Sequence, residues 1–230
     1  MDVEALLRRA LTERRKWLLE PEAKELCKLV GISTTRFRVA HTLEEALEAA
    51  EEVGYPVALK VVSPEILHKS DVGGVALNID GPARLKEAYE GMMSRVREAV
   101  PHARVVGVLV EEMLRPTVEV IIGLVRDPQF GPAVMFGLGG IFVELYGDVS
   151  FRIAPLTKED AREMISEVKA YKLLEGYRGS PRLDIDAVVE LILKVSELGV
   201  KYSLIEQMDL NPVMVYEKGV VVADARIAID

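Results

Sequence analysis

Two textures of hydrophobic patterning meet near residue 105, and together they bound what this chain can fold into. Between Thr35 and Ala99 short strand-like runs alternate with helical patterns. "TRFRVA" alternates as a strand does, and Thr42 with Glu45 opens a helix that Gly54 ends. "PVALKVV" and "VALNI" follow as strands, and Pro82 starts a helix reaching about Ala99. From Val105 the runs lengthen: "VVGVLVEEM", "TVEVIIGLV" and, after the turn "RDPQFGP", "AVMFG". Thr157 caps a helix beginning near Lys158, Asp184 or Asp186 caps another, and two strands around "EKG" close the chain. Ahead of all this, residues 2 to 19 read as one amphipathic helix, and Pro21 opens a second that Gly31 ends. The fold class is therefore α/β, with two α/β lobes and a cleft between them. Residues 20–104 are expected to form the smaller lobe, and residues 1–19 with 105–230 the larger.

Composition removes several alternatives. Half of the 230 residues are hydrophobic, enough for a real core. The 37 acidic residues outnumber 29 basic ones for a net charge of −8, which disfavours a nucleic-acid partner. "LRRALTERRKW" reads as one solvated helix face. The single Cys27 excludes an intrachain disulfide and, in a helical pattern, reads as a small core residue. Charges run through the first twenty residues, unlike a signal peptide, and the longest uncharged run, Pro128 to Val143, is too short to span a membrane. A cytoplasmic protein with no membrane contact is expected.

Lys60 interrupts the apolar run Val57 to Val62. It reads either as one residue on a solvated strand face or as a cation aimed at an anionic ligand from a rigid support. His68 follows in "HKSDVGGV", where Gly73 and Gly74 could bring backbone N–H groups to a phosphate. A histidine there is either an ordinary surface residue or a phosphoryl acceptor. In the last hairpin, Asp209 and Asn211 are two apart on a strand, and the return strand brings Asp224 roughly opposite Asn211. Three hard oxygen ligands on one face suit Mg²⁺. A solvated polar face is the competing reading, slightly favoured by Pro212, which hints at an edge strand. Glu111, Glu112 and Glu119 could meet a base and its ribose. "GLGG" at 137 to 140 and Arg152 stay ambiguous between structural and ligand roles.

Taken together, "GYPVALKVVSPEILHKSDVGGVALNI", "VLVEEM", "TVEVIIGLVRDPQFGPAVMFGLGGIFVEL", "SFRIAPL" and "MDLNPVMV" resemble the ATP-grasp, or beta, subunits of archaeal ADP-forming acetyl-CoA synthetases, from about residue 15 to the end. The resemblance implies an ATP-grasp fold that binds ATP or ADP with Mg²⁺. It implies a ligase catalytic only with a CoA-binding alpha subunit, as an alpha2-beta2 assembly, turning acetyl-CoA, ADP and phosphate into acetate, CoA and ATP. Carried onto this sequence, it makes His68 a phosphoryl carrier and sets Lys60 against nucleotide phosphates. Asn211 and Asp224 would hold Mg²⁺, and Asp209 would steady an incoming phosphohistidine. Glu111 and Met113 would offer backbone groups to adenine, and Glu119 would meet the ribose. The alternatives are another ATP-grasp carboxylate ligase, for which no extra substrate domain is visible, and a non-catalytic nucleotide-binding regulatory subunit.

Overall fold

The structure, a computed structural model, describes residues 2–139 and 147–230. The chain divides into two compact units, one of Thr35–Arg115 and one of Met1–Thr34 with Pro116–Asp230.

The smaller unit is a four-stranded antiparallel sheet with two helices on one face. In chain order it holds β1 (Phe37–Ala40), α3 (Leu43–Val53), β2 (Val57–Val62), β3 (Val75–Ile79), α4 (Pro82–Ala99) and β4 (Gly107–Glu112). The strand order is β1-β4-β2-β3. Thr42 caps α3 through a bond from the Glu45 N–H (3.2 Å), while the Glu45 carboxylate accepts from the His41 N–H (2.7 Å). Val57, Leu59 and Val61 of β2 and Val108 and Val110 of β4 pack against Ala46 and Ala50 of α3 and Leu85, Met92 and Val96 of α4. Each fully buried aliphatic side chain of this kind contributes about 1.5–3 kcal/mol. Strand alternation then directs Ala58, Lys60 and Glu111 to the sheet's other face.

The larger unit begins with α1 (Val3–Thr12) and α2 (Glu20–Leu29). It continues with β5 (Val118–Asp127), β6 (Gly131–Leu138), β7 (Val149–Ile153), α5 (Lys158–Glu167), a 3-10 turn at Lys169–Tyr171, α6 (Lys172–Glu175) and α7 (Ile185–Lys201). β8 (Ile205–Val215), β9 (Val220–Val222) and β10 (Ala225–Ile229) complete it. The sheet runs β10-β8-β5-β6-β7, with β9 paired to β8. Val120, Ile122 and Leu124 of β5 and Met208, Leu210 and Val213 of β8 share one core with Leu7, Leu26, Met164 and Ile192 of the helices. Thr157 and Asp160 form a capping box for α5, and Asp184, rather than Asp186, caps α7 by accepting from the Ala187 N–H (3.0 Å). Among the described residues no helix is long and apolar enough to cross a membrane.

Three expectations are corrected. The helix expected over residues 2 to 19 stops at Thr12: Arg14 takes φ +57° and the Arg15 N–H bonds back to the Ala10 carbonyl (3.0 Å). Residues 16 to 18 instead extend along β10, through Leu18 N–H to Ile227 O (3.0 Å) and Ile229 N–H to Lys16 O (2.8 Å). The unit boundaries also move. Residues 20–34 belong with the larger unit, because Ala23, Leu26 and Cys27 of α2 enter its core. Residues 105–115 belong with the smaller one, because β4 lies between β1 and β2. Finally, Pro212 is not on an edge strand, since β8 is flanked by β5 on one side and β9 and β10 on the other.

Candidate functional site

Lys60 is not on a solvated face. It is 8 % exposed, and its Nζ lies 2.7 Å from Glu111 Oε1 on the adjacent strand. The second oxygen of that carboxylate accepts a bond from the hydroxyl of buried Thr35 (2.9 Å). A buried ammonium needs such a partner to stay charged. Lys60 is therefore a fixed cation on a rigid strand, with its counter-charge supplied by the protein.

The loop after β2 carries His68, which is exposed. It closes on itself through bonds from Gly74 N–H to Lys69 O (2.7 Å), Gly73 N–H to Ser70 O (3.1 Å) and Asp71 N–H to His68 O (3.3 Å). The N–H groups of Gly73 and Gly74 are thus bonded inside the loop. The glycines serve the loop itself. Gly73 sits at φ +65°, and a Cβ on Gly74 would come within 2.5 Å of Val61 Cγ1. Of the backbone groups expected at the adenine position, those of Glu111 and the N–H of Met113 have protein partners. Glu111 lies in a strand paired on both sides, and the Met113 N–H donates to Pro56 O (3.1 Å). What Glu111 presents is its carboxylate.

In the larger unit the last hairpin brings Asp209, Asn211 and Asp224 near one another. Leu210 and Val213 of β8 face Ile122 and Val120 of β5, so Asn211 and Pro212 together oppose the single residue Ile121. This bulge places the proline, which has no N–H to give, where the ladder is already interrupted. On the other side the Asn211 N–H donates to Asp224 O (3.2 Å) and the Ala223 N–H to Pro212 O (2.9 Å), so Asp224 is opposite Asn211 as the sequence suggested. Burial pushes the Asp209 carboxyl above its ordinary value; Arg226 across the strand pair opposes the rise and the Asp224 carboxylate adds to it. Two carboxylates near enough to repel, with an amide oxygen beside them, form a hard, acid-rich donor set that a Mg²⁺ ion would neutralise, so the residues fit that ion. Among the described residues no group of three or more His, Cys, Asp or Glu forms a metal cluster.

Glu119 is exposed on the same sheet face as Asp209 and Asn211, the face turned from the helices. A cavity of about 310 Å³ on that face is lined by Gly123, Met135, Phe151 and Gln207 together with Asp209 and Asn211. Gly139 donates to Glu119 O (2.7 Å), whereas Gly140 of "GLGG" lies outside the described residues. Arg152 is an ion-pair residue, bound to Glu167 and 3.7 Å from Glu163. Two residues escaped sequence reasoning: Thr35, whose only signal is a hydroxyl before an alternating strand, and Arg226, a cation at an alternate position of a strand otherwise made of Ala and Ile.

Residues 9–229 match the family model described as an ATP-grasp domain. The chain is 50 % identical over 222 residues, 96 % of its own length and 95 % of the relative's, to the acetate–CoA ligase [ADP-forming] I subunit beta of Pyrococcus furiosus. The dinucleotide-forming acetyl-coenzyme A synthetase 1 of Ca. Korarchaeum cryptofilum, solved with coenzyme A, Ca-AMPCP and HgCl+, superposes with a TM-score of 0.97 at 51 % identity, covering 99 % of both chains. The same enzyme solved with coenzyme A and Mg-AMPPCP, its phosphohistidine segment pointing towards the nucleotide binding site, gives 0.87 at 48 %, again over 99 % of both chains. Full-length coverage at half identity, together with a held lysine and an acidic hairpin, leaves one assignment: the chain belongs to the ATP-grasp family, among the beta subunits of ADP-forming acetate–CoA ligases.

Proposed function

We propose that this chain is the nucleotide-handling subunit of an ADP-forming acetate–CoA ligase and that it passes a phosphoryl group between histidine and ADP. His68 is the carrier on this chain. In the ATP-forming direction the P–N bond to the imidazole breaks, the nitrogen regains its electron pair, and a β-phosphate oxygen of ADP forms the new P–O bond. Lys60 meets the nucleotide phosphates and offsets charge on the group in transit. Asp209 steadies the arriving phosphohistidine of a CoA-binding partner subunit, and Glu119 accepts bonds from the ribose. Asn211 and Asp224 would hold Mg²⁺, which would supply positive charge against the nucleotide phosphates when bound. The assembly with that partner subunit is read as alpha2-beta2.

The observation that carries this reading is the buried Lys60 ammonium, held in place by Glu111 on a rigid strand. Unlike a charge enclosed by one helix and its core, this ammonium stands on the sheet face turned from the helices of its unit, where an anionic ligand can meet it. The test supplies the chain with its CoA-binding partner, acetyl-CoA, radiolabelled phosphate, Mg²⁺ and ADP, and follows ATP and acid-labile phosphate on each chain. Label on this chain that disappears in His68→Ala, together with ATP synthesis, is the expected result. Full ATP synthesis by His68→Ala, with label confined to the partner, overturns the carrier role.

A further inference from the structure

Glu111 is held at both of its oxygens. Oε1 lies 2.7 Å from Lys60 Nζ, and Oε2 accepts from Thr35 Oγ1 at 2.9 Å. Thr35 and Glu111 are 1 % and 3 % exposed, so neither group exchanges freely with water. The backbone locks the geometry. Phe37 pairs with Glu111, the Glu112 N–H donates to Arg36 O (3.1 Å), and the Arg36 N–H donates to Glu112 Oε1 (2.7 Å). Thr35 is thereby fixed to the strand whose carboxylate it bonds.

We infer that Thr35 is a positioning residue for nucleotide binding, acting through Glu111 to set where the Lys60 ammonium stands; this rests on the proposed contact between Lys60 and nucleotide phosphates. A lysine ammonium is a point charge on a flexible four-carbon stem, and its direction is set by what holds it. A carboxylate bonded at one oxygen alone can turn about its last bond and carry the ammonium with it. Bonded at both, it cannot. The Thr35 hydroxyl also draws carboxylate charge towards itself, away from the side an anionic phosphate approaches. The residue touches no nucleotide in this scheme; it acts at one remove.

The experiment is calorimetric titration of the full chain with ADP and with adenosine, in Thr35→Val, Thr35→Ser, Lys60→Met and the Thr35→Val/Lys60→Met pair. Thr35→Val is expected to weaken ADP about tenfold, the scale of one hydrogen bond to a charged group, and adenosine less than about twofold. Thr35→Ser restores ADP affinity to within about twofold of the parent, because it returns the same donor. In the Lys60→Met background Thr35→Val costs nothing further, since coupled residues are not additive. Equal losses for ADP and adenosine, or the same loss in both backgrounds, would reduce Thr35 to a structural residue and overturn the inference. Parental ADP affinity in Lys60→Met would instead overturn the phosphate contact of Lys60, a separate failure. Should the valine variant not fold, Thr35→Ala carries the same comparison.

Discussion

Two buried lysine–glutamate pairs among the described residues are built in opposite ways. Lys24 and Glu20 stand four apart on α2, Nζ to Oε1 at 3.2 Å, with side chains 0 % and 1 % exposed in the larger unit. Lys60 and Glu111 come from adjacent strands of the smaller unit, at 2.7 Å, with Thr35 completing the carboxylate. The first pair is local, enclosed by one helix and its core. Its neighbour Cys27 is pushed up to about 12 by burial despite the nearby lysine, an inert thiol in a dry environment. The second pair is assembled from three separated segments on the sheet face away from the helices. A local pair is within reach of any amphipathic helix; a three-segment pair needs the whole fold to place one ammonium.

Replacing each lysine sharpens that contrast. Either Lys24→Met or Lys60→Met leaves a buried carboxylate without its cation, at a cost of about 3–5 kcal/mol. For a chain of this size each kcal/mol is worth about 2–4 °C in Tm, so both variants melt well below the parent. Turnover separates them. ATP synthesis per folded molecule falls by a factor of about 100 or more in Lys60→Met, the scale of losing one preorganised group at a site of transferring charge, and stays within about twofold in Lys24→Met. Circular-dichroism melts with active-fraction assays read both quantities. Equal loss of turnover in the two folded variants would erase the distinction.

Removing both partners is the next, smaller effect. Glu20→Leu/Lys24→Met replaces a buried ion pair by apolar groups of similar volume, and stability returns to within about 1–2 kcal/mol of the parent or rises above it. Glu111→Leu/Lys60→Met can recover stability but not turnover. A double variant at 60 and 111 with parental ATP synthesis would show that this pair too is only structural.

The metal side of the site gives a third measurement. Asp224→Ala removes one of the two carboxylates of the hairpin and is expected to raise the half-saturating Mg²⁺ concentration for ATP synthesis about tenfold or more, in the range seen for lost ligand support. Saturating Mg²⁺ recovers part of the rate. An unchanged Mg²⁺ curve would remove Asp224 from the ion's shell.

These contrasts also show what the sequence made legible. The helix starts at Thr42, Pro82 and Thr157 and the ends at Gly31 and Gly54 were readable because capping is a local chemistry. Asp224 opposite Asn211 was readable because a hairpin register follows from a short turn. The Lys60–Glu111 contact was not, since it depends on β4 returning beside β2 after α4 has intervened. The same return moved residues 105–115 into the smaller unit. Gly73 and Gly74 were ambiguous for another reason: adjacent glycines look alike whether their N–H groups meet a ligand or their own loop, and the bonds to Ser70 and Lys69 cannot be read from the sequence. The stop at Thr12 was hidden because charged residues continue the helical pattern to Trp17 while the backbone has already turned at Arg14.

The smallest effect concerns Asp209, the counterpart in the larger unit of a charge held at a cost. Burial, with Asp224 adding and Arg226 opposing, raises its carboxyl above the ordinary value. The folded state therefore holds a proton that the unfolded chain has released, between the unfolded value near 3.8 and the raised folded one. In that window stability falls as pH rises, and above it the cost of the ionised buried carboxyl is fully present. Asp209→Asn removes the cost, so the ligand-free chain should melt a few degrees higher than the parent at pH 7, with the gap closing as pH falls through the raised folded value and gone below about 3.8. The amide keeps the shape of the side chain but cannot repel Asp224. ATP synthesis in the same variant should fall, because the charge that destabilises the empty hairpin is the one proposed to receive the phosphohistidine. Melting curves from pH 3 to 8 decide the first half: an unchanged or lower Tm at pH 7 would mean that Arg226 fully compensates the carboxylate. The hairpin would then hold no stored repulsion for a cation to relieve.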